Sequence, residues 1–169
     1  MRKPKKMMKD WREAYLENQS KTLYKEYKNR MESDERLAIY KKKVKEIASQ
    51  SGKASLMNDI KWCALLEAIW ELPFPPPFFE KRVTQEIDFD FRYLEKPRFY
   101  GDWTPYYEEG LPPFFDIEWI YVNPKYYEHV GNLLDLKVHD ETILFQNLLE
   151  RLKIPYKVVE GYFLILGYC

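Results

Sequence analysis

The segment LPFPPPFF, residues 72–79, places four prolines among three phenylalanines near the middle of the chain. Proline fixes its own φ and has no backbone N–H, so this segment cannot continue a helix or join the interior of a sheet. We expect it to be extended, close to polyproline II, with its phenylalanines anchored in a core. We therefore interpret it as a stiff spacer between a helical part and a strand-rich part, in preference to a ligand for an aromatic-lined groove.

Helical periodicity dominates the chain before the spacer. Apolar residues recur at three- and four-residue steps over residues 8–31, and a second helix is predicted from about Glu35 to Ser49. One stripe of that second helix has the spacing of a coiled-coil seam: Leu37, Tyr40, Val44 and Ile47. We expect the two helices to form a hairpin that packs on its neighbour. The same stripe would also allow a homodimer through the N-terminal helices.

A third helix leads into the spacer. Asn58 is a good N-cap for it, and Pro73 ends it. Its apolar face is wider than those of the first two helices and consists of Trp62, Leu65, Leu66, Ile69 and Trp70. We expect this helix to pack on the sheet.

After the spacer the apolar period changes to two residues. EIDFDFRY, residues 86–93, alternates apolar and charged side chains, which predicts a half-buried antiparallel strand. FFDIEWIYV, residues 114–122, predicts another strand. We expect one apolar face of it to carry Phe115, Ile117, Trp119 and Tyr121.

The end of the chain predicts one helix and one hairpin. DETILFQNLLERLKI, residues 140–154, is a helix capped by Asp140. Its apolar stripe consists of Ile143, Leu144, Leu148, Leu149 and Leu152. YKVVEGYFLILGY, residues 156–168, is a hairpin whose turn falls at Glu160–Gly161.

Together these elements predict an α+β fold in which an antiparallel sheet packs against helices, with an N-terminal helical extension. We expect residues 1–54 to form a basic helical hairpin extension and residues 55–169 to form the α+β domain. Residues 1–60 carry 16 basic and 9 acidic side chains, a balance of +7, and residues 61–169 carry 11 and 18, a balance of −7. We interpret the basic helices as solvated faces, so nucleic acid is not the expected partner.

Composition also restricts the cellular setting. The basic start is not followed by an apolar run, so it does not have the form of a secretory signal. No stretch reaches the roughly 18 apolar residues that a membrane span needs. Two cysteines do not indicate a disulfide framework. We expect a cytoplasmic protein without a membrane partner.

Few residues are of the types that catalysis requires. The two histidines, His129 and His139, and the two cysteines do not form a close pair of zinc ligands. A glycine-rich phosphate loop and a dinucleotide fingerprint are also missing from the sequence, so no cofactor is expected. Carboxylates are the remaining candidates for catalysis or metal binding. Asp88 and Asp90 share one face of the first predicted strand.

Asp116 and Glu118 share one face of the other predicted strand. If the two strands pair, the four acids could hold a divalent metal ion or support hydrolysis. The simpler interpretation, which we prefer, is that they lie on the solvent face of a sheet.

The richest stretch in binding residues is RFYGDWTPYYEEGLPPFFDIEW, residues 98–119, a long loop of large rings and acids that leads into the second predicted strand. Rings beside carboxylates are typical of protein-binding hot spots for a basic partner. The candidate binding residues are Asp102, Trp103, Tyr106, Tyr107, Glu108 and Glu109. The loop could equally fold back as a lid on the sheet, and the two roles are compatible.

Several short segments resemble a small, uncharacterised bacterial domain family over about residues 55–168. They are MNDIKWCALLEAI at residues 57–69, GDW followed by YY at residues 101–107, IEWIYVNP at residues 117–124 and GYFLILGY at residues 161–168. The resemblance implies no settled activity. By analogy between classes, small acidic α+β proteins of this kind look like immunity or antitoxin partners of bacterial toxins.

Three functional hypotheses follow. The first is a non-enzymatic binding protein that neutralises a toxin. Its acidic aromatic surface would cover a basic region of the toxin. The second is a metal-dependent hydrolase that uses the strand carboxylates, and the third is a nucleic-acid-binding or regulatory adaptor that uses the basic N-terminal helices. We favour the first.

Overall fold

The structure is a computed structural model that describes residues 23–105, 110–131 and 135–169. Its helices are α1 (Leu23–Ser33), α2 (Glu35–Gln50), α3 (Asp59–Ile69), α4 (Arg92–Glu95) and α5 (Thr142–Arg151), and a 3₁₀ turn spans Phe114–Asp116. Its strands are β1 (Phe78–Arg82), β2 (Ile117–Val122), β3 (Lys125–His129), β4 (Leu136–Asp140), β5 (Tyr156–Val159) and β6 (Tyr162–Leu166). No helix in these ranges is long and apolar enough to cross a membrane.

Six strands form two antiparallel sheets in the described part of the chain. Four of them make the main sheet in the order β1-β2-β6-β5, and β3 and β4 make a separate two-stranded sheet. Helices precede the main sheet, and α5 lies between its second and third strands in chain order. The predicted α+β class is therefore confirmed. The β3–β4 hairpin was not predicted, because its segment mixes charged and aromatic residues without a clean alternation.

One face of the main sheet packs against the helices. Ile120 and Val122 of β2 are completely buried in the same cluster as Leu65 and Leu66 of α3 and Phe145 of α5. The prediction that the third helix packs on the sheet is confirmed. Asn58 caps that helix as expected, since its side chain accepts a hydrogen bond from the backbone N–H of Lys61 at 2.8 Å.

The N-terminal helices share this core. Leu23 and Tyr27 of α1 are buried in the main cluster, and the Tyr27 ring stacks on Phe114 with 4.8 Å between ring centroids. The predicted seam of α2 is used within the chain itself, because Val44 packs in one cluster with Phe115 and Tyr168. The dimer through these helices and the boundary between residues 54 and 55 stay predictions. The part of the first predicted helix before residue 23 lies outside the described residues.

The proline segment bends at residues 72–74, runs without regular secondary structure over residues 75–77 and enters β1 at Phe78. Carbonyl groups of its prolines are hydrogen-bonded to the domain. The carbonyl of Pro75 accepts from the backbone N–H of Gly101 at 3.2 Å, and that of Pro77 accepts from Asn123 at 3.0 Å. Phe74 and Phe78 are buried. The prolines cannot donate hydrogen bonds, and two of them are held by the hydrogen bonds that their carbonyl groups accept.

The predicted strand over residues 86–93 is wrong. This stretch contains no strand, and its last residues begin α4 at Arg92. The cause is a local turn at Asp90, whose side chain accepts from the backbone N–H of Arg92 at 3.0 Å and whose carbonyl accepts from Tyr93 at 3.1 Å. Aspartate offers the backbone such a local alternative to a sheet ladder.

Two predicted apolar faces also need correction. On β2, Trp119 and Tyr121 are half-buried on the side of the sheet away from the helices, whereas Ile120 and Val122 fill the core. On α5, Ile143 is 75% exposed and Leu144 is 51% exposed. Phe145, Leu148 and Leu149 form the buried face of that helix. A pattern of apolar residues indicates a period, but not which of two apolar faces meets the core.

The last hairpin was predicted correctly. Val159 pairs with Tyr162, and the two turn residues, Glu160 and Gly161, have φ values of 52° and 82°. Positive φ at both positions is the geometry of a two-residue type I′ turn, which matches the twist of the flanking strands. Asp140 was expected to cap α5, but the N-cap is Glu141, whose side chain makes no cap hydrogen bond. Asp140 lies one residue earlier and accepts from the backbone N–H of Thr142 at 2.9 Å.

Candidate functional site

The residues predicted as binding anchors in the 98–119 loop do not form one exposed patch in the described structure. Trp103 is fully buried against Phe78, and its indole N–H donates to the carbonyl of Pro76 at 2.8 Å. Asp102 is exposed and accepts from the backbone N–H of Thr104 at 3.1 Å. Tyr106, Tyr107, Glu108 and Glu109 lie outside the described residues. Trp103 therefore behaves as part of a lid and is not an accessible contact residue.

Asp116 does not face solvent, which corrects the preferred interpretation of the strand carboxylates. It lies in the 3₁₀ turn and is completely buried. Its carboxylate accepts hydrogen bonds from the hydroxyl of Tyr40 and from the backbone N–H of Thr84, the latter at 3.3 Å. The side chain thus joins α2 to the residues that follow β1, which is a structural role.

Glu118 is also buried and is paired with two lysines. Its carboxylate accepts from the ammonium groups of Lys53, at 2.5 Å, and Lys81. Burial would raise the pKa of Glu118, but the hydrogen bonds from the two lysines outweigh this and hold the pKa below its usual range. The group is therefore a carboxylate at neutral pH and neutralises part of a local positive charge.

The other two candidate metal ligands, Asp88 and Asp90, are exposed and lie in the stretch before α4. Asp90 forms an ion pair with Arg92 at 2.7 Å. Among the residues that the structure describes, no group of three or more histidines, cysteines, aspartates or glutamates is arranged to hold a metal ion. The four acids do not form the single cluster that the metal hypothesis needs.

A different surface brings together eight aromatic rings that are half-buried or exposed. We call it the outer aromatic face, and it lies on the side of the main sheet away from α3 and α5. Its rings are Phe79, Phe89, Phe91, Tyr93, Phe99, Trp119, Tyr121 and Tyr162. All eight are half-buried or exposed, Tyr93 being 53% exposed.

Ring contacts hold this face together. Phe89 stacks on Tyr121 with centroids 4.8 Å apart and planes 9° apart, and Phe91 stacks on Tyr162 at 5.4 Å and 12°. Trp119 meets Tyr121 edge to face at 5.0 Å. Stacked and edge-to-face pairs of this kind add stabilisation beyond their buried area, so the stretch over residues 85–91 is fixed on the sheet without strand pairing.

The stretch that carries Phe89, Phe91 and Tyr93 is acidic. Residues 85–95 contain four acids, Glu86, Asp88, Asp90 and Glu95, and one base, Arg92, a balance of 1 − 4 = −3. Lys96 and Arg98, which precede Phe99, bring the balance over residues 85–99 to 3 − 4 = −1. We call the four acids the acidic rim. Burial raises the pKa of Tyr162, and the charges of Glu95 and Glu160 raise it further. Burial also raises the pKa of Tyr121, so both of these phenols are neutral at pH 7.

The sequence contained a signal for this surface in EIDFDFRY. The alternation of rings and acids over residues 86–93 indicated that the rings share one side, but it was interpreted as a strand of the sheet. The structure places the same rings over the sheet, where they meet Trp119 and Tyr121 from β2. Only the tertiary structure shows that the two sets of rings form one surface.

The fold and this surface define a small α+β protein with a half-exposed aromatic sheet face. The chain belongs to a family of unknown function, DUF6678, whose match covers residues 44–169. The match begins within α2, before the start of the expected span at residue 55. No curated protein and no solved structure matches the chain.

Proposed function

We propose that this protein binds another protein through the outer aromatic face and catalyses no reaction itself. The observation that carries the proposal is the gathering of eight rings on one accessible face with an acidic rim. Isolated exposed rings are ordinary on a protein surface, whereas a contiguous apolar patch with a polar rim is typical of an interaction site. The proposal thus keeps the predicted acidic aromatic surface but locates it on the sheet.

The rings are suited to tight contact because they are already ordered. Tyr121 and Phe91 each stack on a second ring, so a partner that lands on them immobilises few additional side chains. Large aromatic side chains dominate the energetics of protein interfaces, and prior ordering reduces the entropy cost of association.

The acidic rim favours a partner with a basic surface. Carboxylates around an apolar centre attract such a partner over a range of about 10 Å at 0.1 M salt and reject acidic competitors. In the specific form of the proposal, the partner is a toxin, and this chain covers its cationic active site as an immunity or antitoxin protein does. A nuclease fits this form because its cleft must attract nucleic acid.

The chemistry of the described side chains agrees with a binding role. Burial and the charges of Asp59 and Glu67 raise the pKa of Cys63 to about 12, so this thiol stays protonated. Both Cys63 and Cys169 are free thiols, and we place the protein in the cytoplasm, where thiols remain reduced.

The decisive experiment reverses charge on the rim. Glu86→Lys with Asp88→Lys changes two exposed side chains for which no hydrogen bond or ion pair is seen in the described structure. Glu26→Lys with Glu46→Lys makes the same charge change on α1 and α2, on the other side of the sheet. A photo-crosslinking residue in place of Tyr93 is used to capture and identify the partner in cells. The affinity of the purified partner is then measured for the unsubstituted protein and for both double variants.

We expect the rim variant to bind at least about tenfold more weakly, with a reduced dependence on salt, and the matched control to bind within about twofold of the unsubstituted protein. Equal affinity of the rim variant and the control would contradict the proposal. The hypothesis that the partner is a toxin is tested by producing the partner in cells with and without this chain. A partner that is harmless when produced alone would rule out the toxin hypothesis.

A further inference from the structure

A cleft of about 430 Å³ lies on the helical side of the main sheet, away from the outer aromatic face. Its walls are α2, the start of α3 and the end of the chain at Gly167–Tyr168. The volume is within the range of small-molecule sites. We call it the lysine cleft, because three lysines line it: Lys41, Lys45 and Lys53.

The lysine cleft carries net positive charge. Its lining has three lysines and one acid, Asp59, a balance of 3 − 1 = +2. Lys41 and Lys45 are one helical turn apart on α2, so both face the same side, and neither forms an ion pair with any described residue. Two ammonium groups at the edge of one cavity, with no counter-charge from the described part of the chain, are a suitable arrangement for an anion.

Lys53 is held in place by a buried partner. Its ammonium contacts Glu118, which also binds Lys81. One carboxylate between two ammonium groups leaves one positive charge uncompensated. Glu118 therefore fixes the position of Lys53 without cancelling the field at that end of the cavity.

The rest of the lining is rigid and offers both polar and apolar contacts. The hydroxyl of Tyr168 donates to the carbonyl of Phe115 at 2.5 Å, and this hydrogen bond fixes the position of the Tyr168 ring in the lining. Asn58 uses its side-chain oxygen to cap α3 and keeps its amide N–H groups for another acceptor. Met57 and Phe115 contribute apolar surface. An organic body could pack on these residues while an anionic group meets the lysines.

Segments that are far apart in the sequence converge on this cavity. Asn58, Asp59 and Trp62 come from the start of α3, Gly167 and Tyr168 come from the closing segment, and Glu118 of β2 acts through Lys53. The family match, residues 44–169, includes all of them together with Lys45.

We propose that the lysine cleft binds a small organic phosphate of about the size of a nucleoside monophosphate. A phosphate carries up to two negative charges near neutral pH, which matches the balance of +2, and lysine ammonium groups bind phosphate as point charges. This site is independent of the outer aromatic face, and it is tested without any protein partner.

The test measures binding of chosen probes by calorimetry at low salt. Ribose 5-phosphate and adenosine 5′-monophosphate are the phosphate probes, and ribose and adenosine are their uncharged counterparts. We expect a dissociation constant of about 1 mM or lower for at least one phosphate probe and at least tenfold weaker binding of its counterpart. No binding of either phosphate probe at about 10 mM would overturn the proposal.

Matched variants on one helix locate the site. Lys41→Glu with Lys45→Glu removes the two unpaired cations of the cleft, and Lys42→Glu with Lys43→Glu makes the same charge change on exposed residues that do not line it. The first variant should lose at least about tenfold in affinity and the second less than about threefold. Equal losses would show a diffuse electrostatic effect and overturn the assignment. Circular dichroism confirms that both variants are folded.

Discussion

The buried carboxyl of Glu141 accepts a hydrogen bond from the backbone N–H of Phe74, with 3.3 Å between Phe74 N and Glu141 Oε2. This contact joins the start of α5 to the proline segment, two parts of the chain separated by 67 residues. The other carboxyl oxygen, Oε1, is buried and has no hydrogen-bond partner among the described residues. Burial, together with the charge of Asp140, raises the pKa of Glu141 to about 8.

Glu141 should make stability depend on pH between about 4.5 and 8. A carboxyl whose pKa is higher in the folded state stabilises the fold fully below its unfolded pKa, and this contribution is lost as pH rises through the folded pKa. Glu141→Gln keeps the shape but removes the ionisation. We expect the variant to exceed the unsubstituted protein in free energy of unfolding by roughly 4–5 kcal/mol at pH 9 and to equal it near pH 5.

Urea denaturation at the two pH values measures this effect. Glu46→Gln, at an exposed position on α2, is the control and should show no such difference between the two pH values. A Glu141→Gln variant whose advantage is the same at pH 5 and pH 9 would show that Glu141 does not titrate in this range.

Glu118→Gln should destabilise the fold by about 2 kcal/mol at pH 7, because it leaves Lys81, whose side chain is 13% exposed, without its carboxylate. The pKa of Glu118 is lowered in the folded state, so its contribution is present above the unfolded pKa and is lost as pH falls through the folded pKa. The variant and the parent should therefore converge in stability towards pH 3. Chemical denaturation at pH 7 and pH 3 tests both parts.

Trp103 contributes both packing and a hydrogen bond, and two substitutions separate them. Trp103→Phe keeps a ring against Phe78 but leaves the carbonyl of Pro76 without its side-chain donor, which should cost about 1–2 kcal/mol. Trp103→Ala also removes the ring and should cost about 3–5 kcal/mol.

Trp119→Phe is the matched control for the first Trp103 variant, because Trp119 is half-buried on the outer aromatic face and makes no described indole hydrogen bond. It should cost less than about 1 kcal/mol. Thermal unfolding gives the comparison, and a Trp103→Ala variant as stable as Trp119→Phe would contradict the buried position.

Glu160 occupies a position that suits another residue better. Its φ of 52° is in the left-handed region, which asparagine adopts more readily, and Asn-Gly is the preferred pair for a type I′ turn. Glu160→Asn should therefore raise the free energy of unfolding by about 0.5 kcal/mol. Glu46→Asn, at an exposed position in the interior of α2, should lower it, and equal effects of the two changes would argue against the turn geometry.

Some elements follow from local chemistry and were predictable. Asn58 as the cap of α3, Pro73 after its end and Glu160–Gly161 in the last turn each depend on interactions within a few residues. The α+β class follows from the change of apolar period after the spacer. The prolines exclude a helix and an interior strand over residues 73–77 in any context, because proline fixes its own φ and has no backbone N–H.

Other features depend on contacts between distant residues and could not be predicted. Asp116 and Glu118 were expected on a solvent face, yet each is buried because Tyr40, Thr84, Lys53 and Lys81 come from other parts of the chain to satisfy it. Trp103, one of the candidate binding residues, is buried for the same reason, because Phe78 and Pro76 come from another segment to contact it. The charged and aromatic residues were recognised, but the partners that bury some and leave others accessible are far away in sequence.

The sequence by itself determined the cap of α3, the turn of the last hairpin and the break at the prolines, because short-range sterics and hydrogen bonding decide them. It also fixed the supply of rings and acids. The tertiary structure decided which side of β2 meets the helices, where the stretch over residues 85–91 lies and which carboxylates are buried. These choices depend on long-range packing, in which two apolar faces of similar pattern compete for one core and only their contacts with the remaining elements select between them.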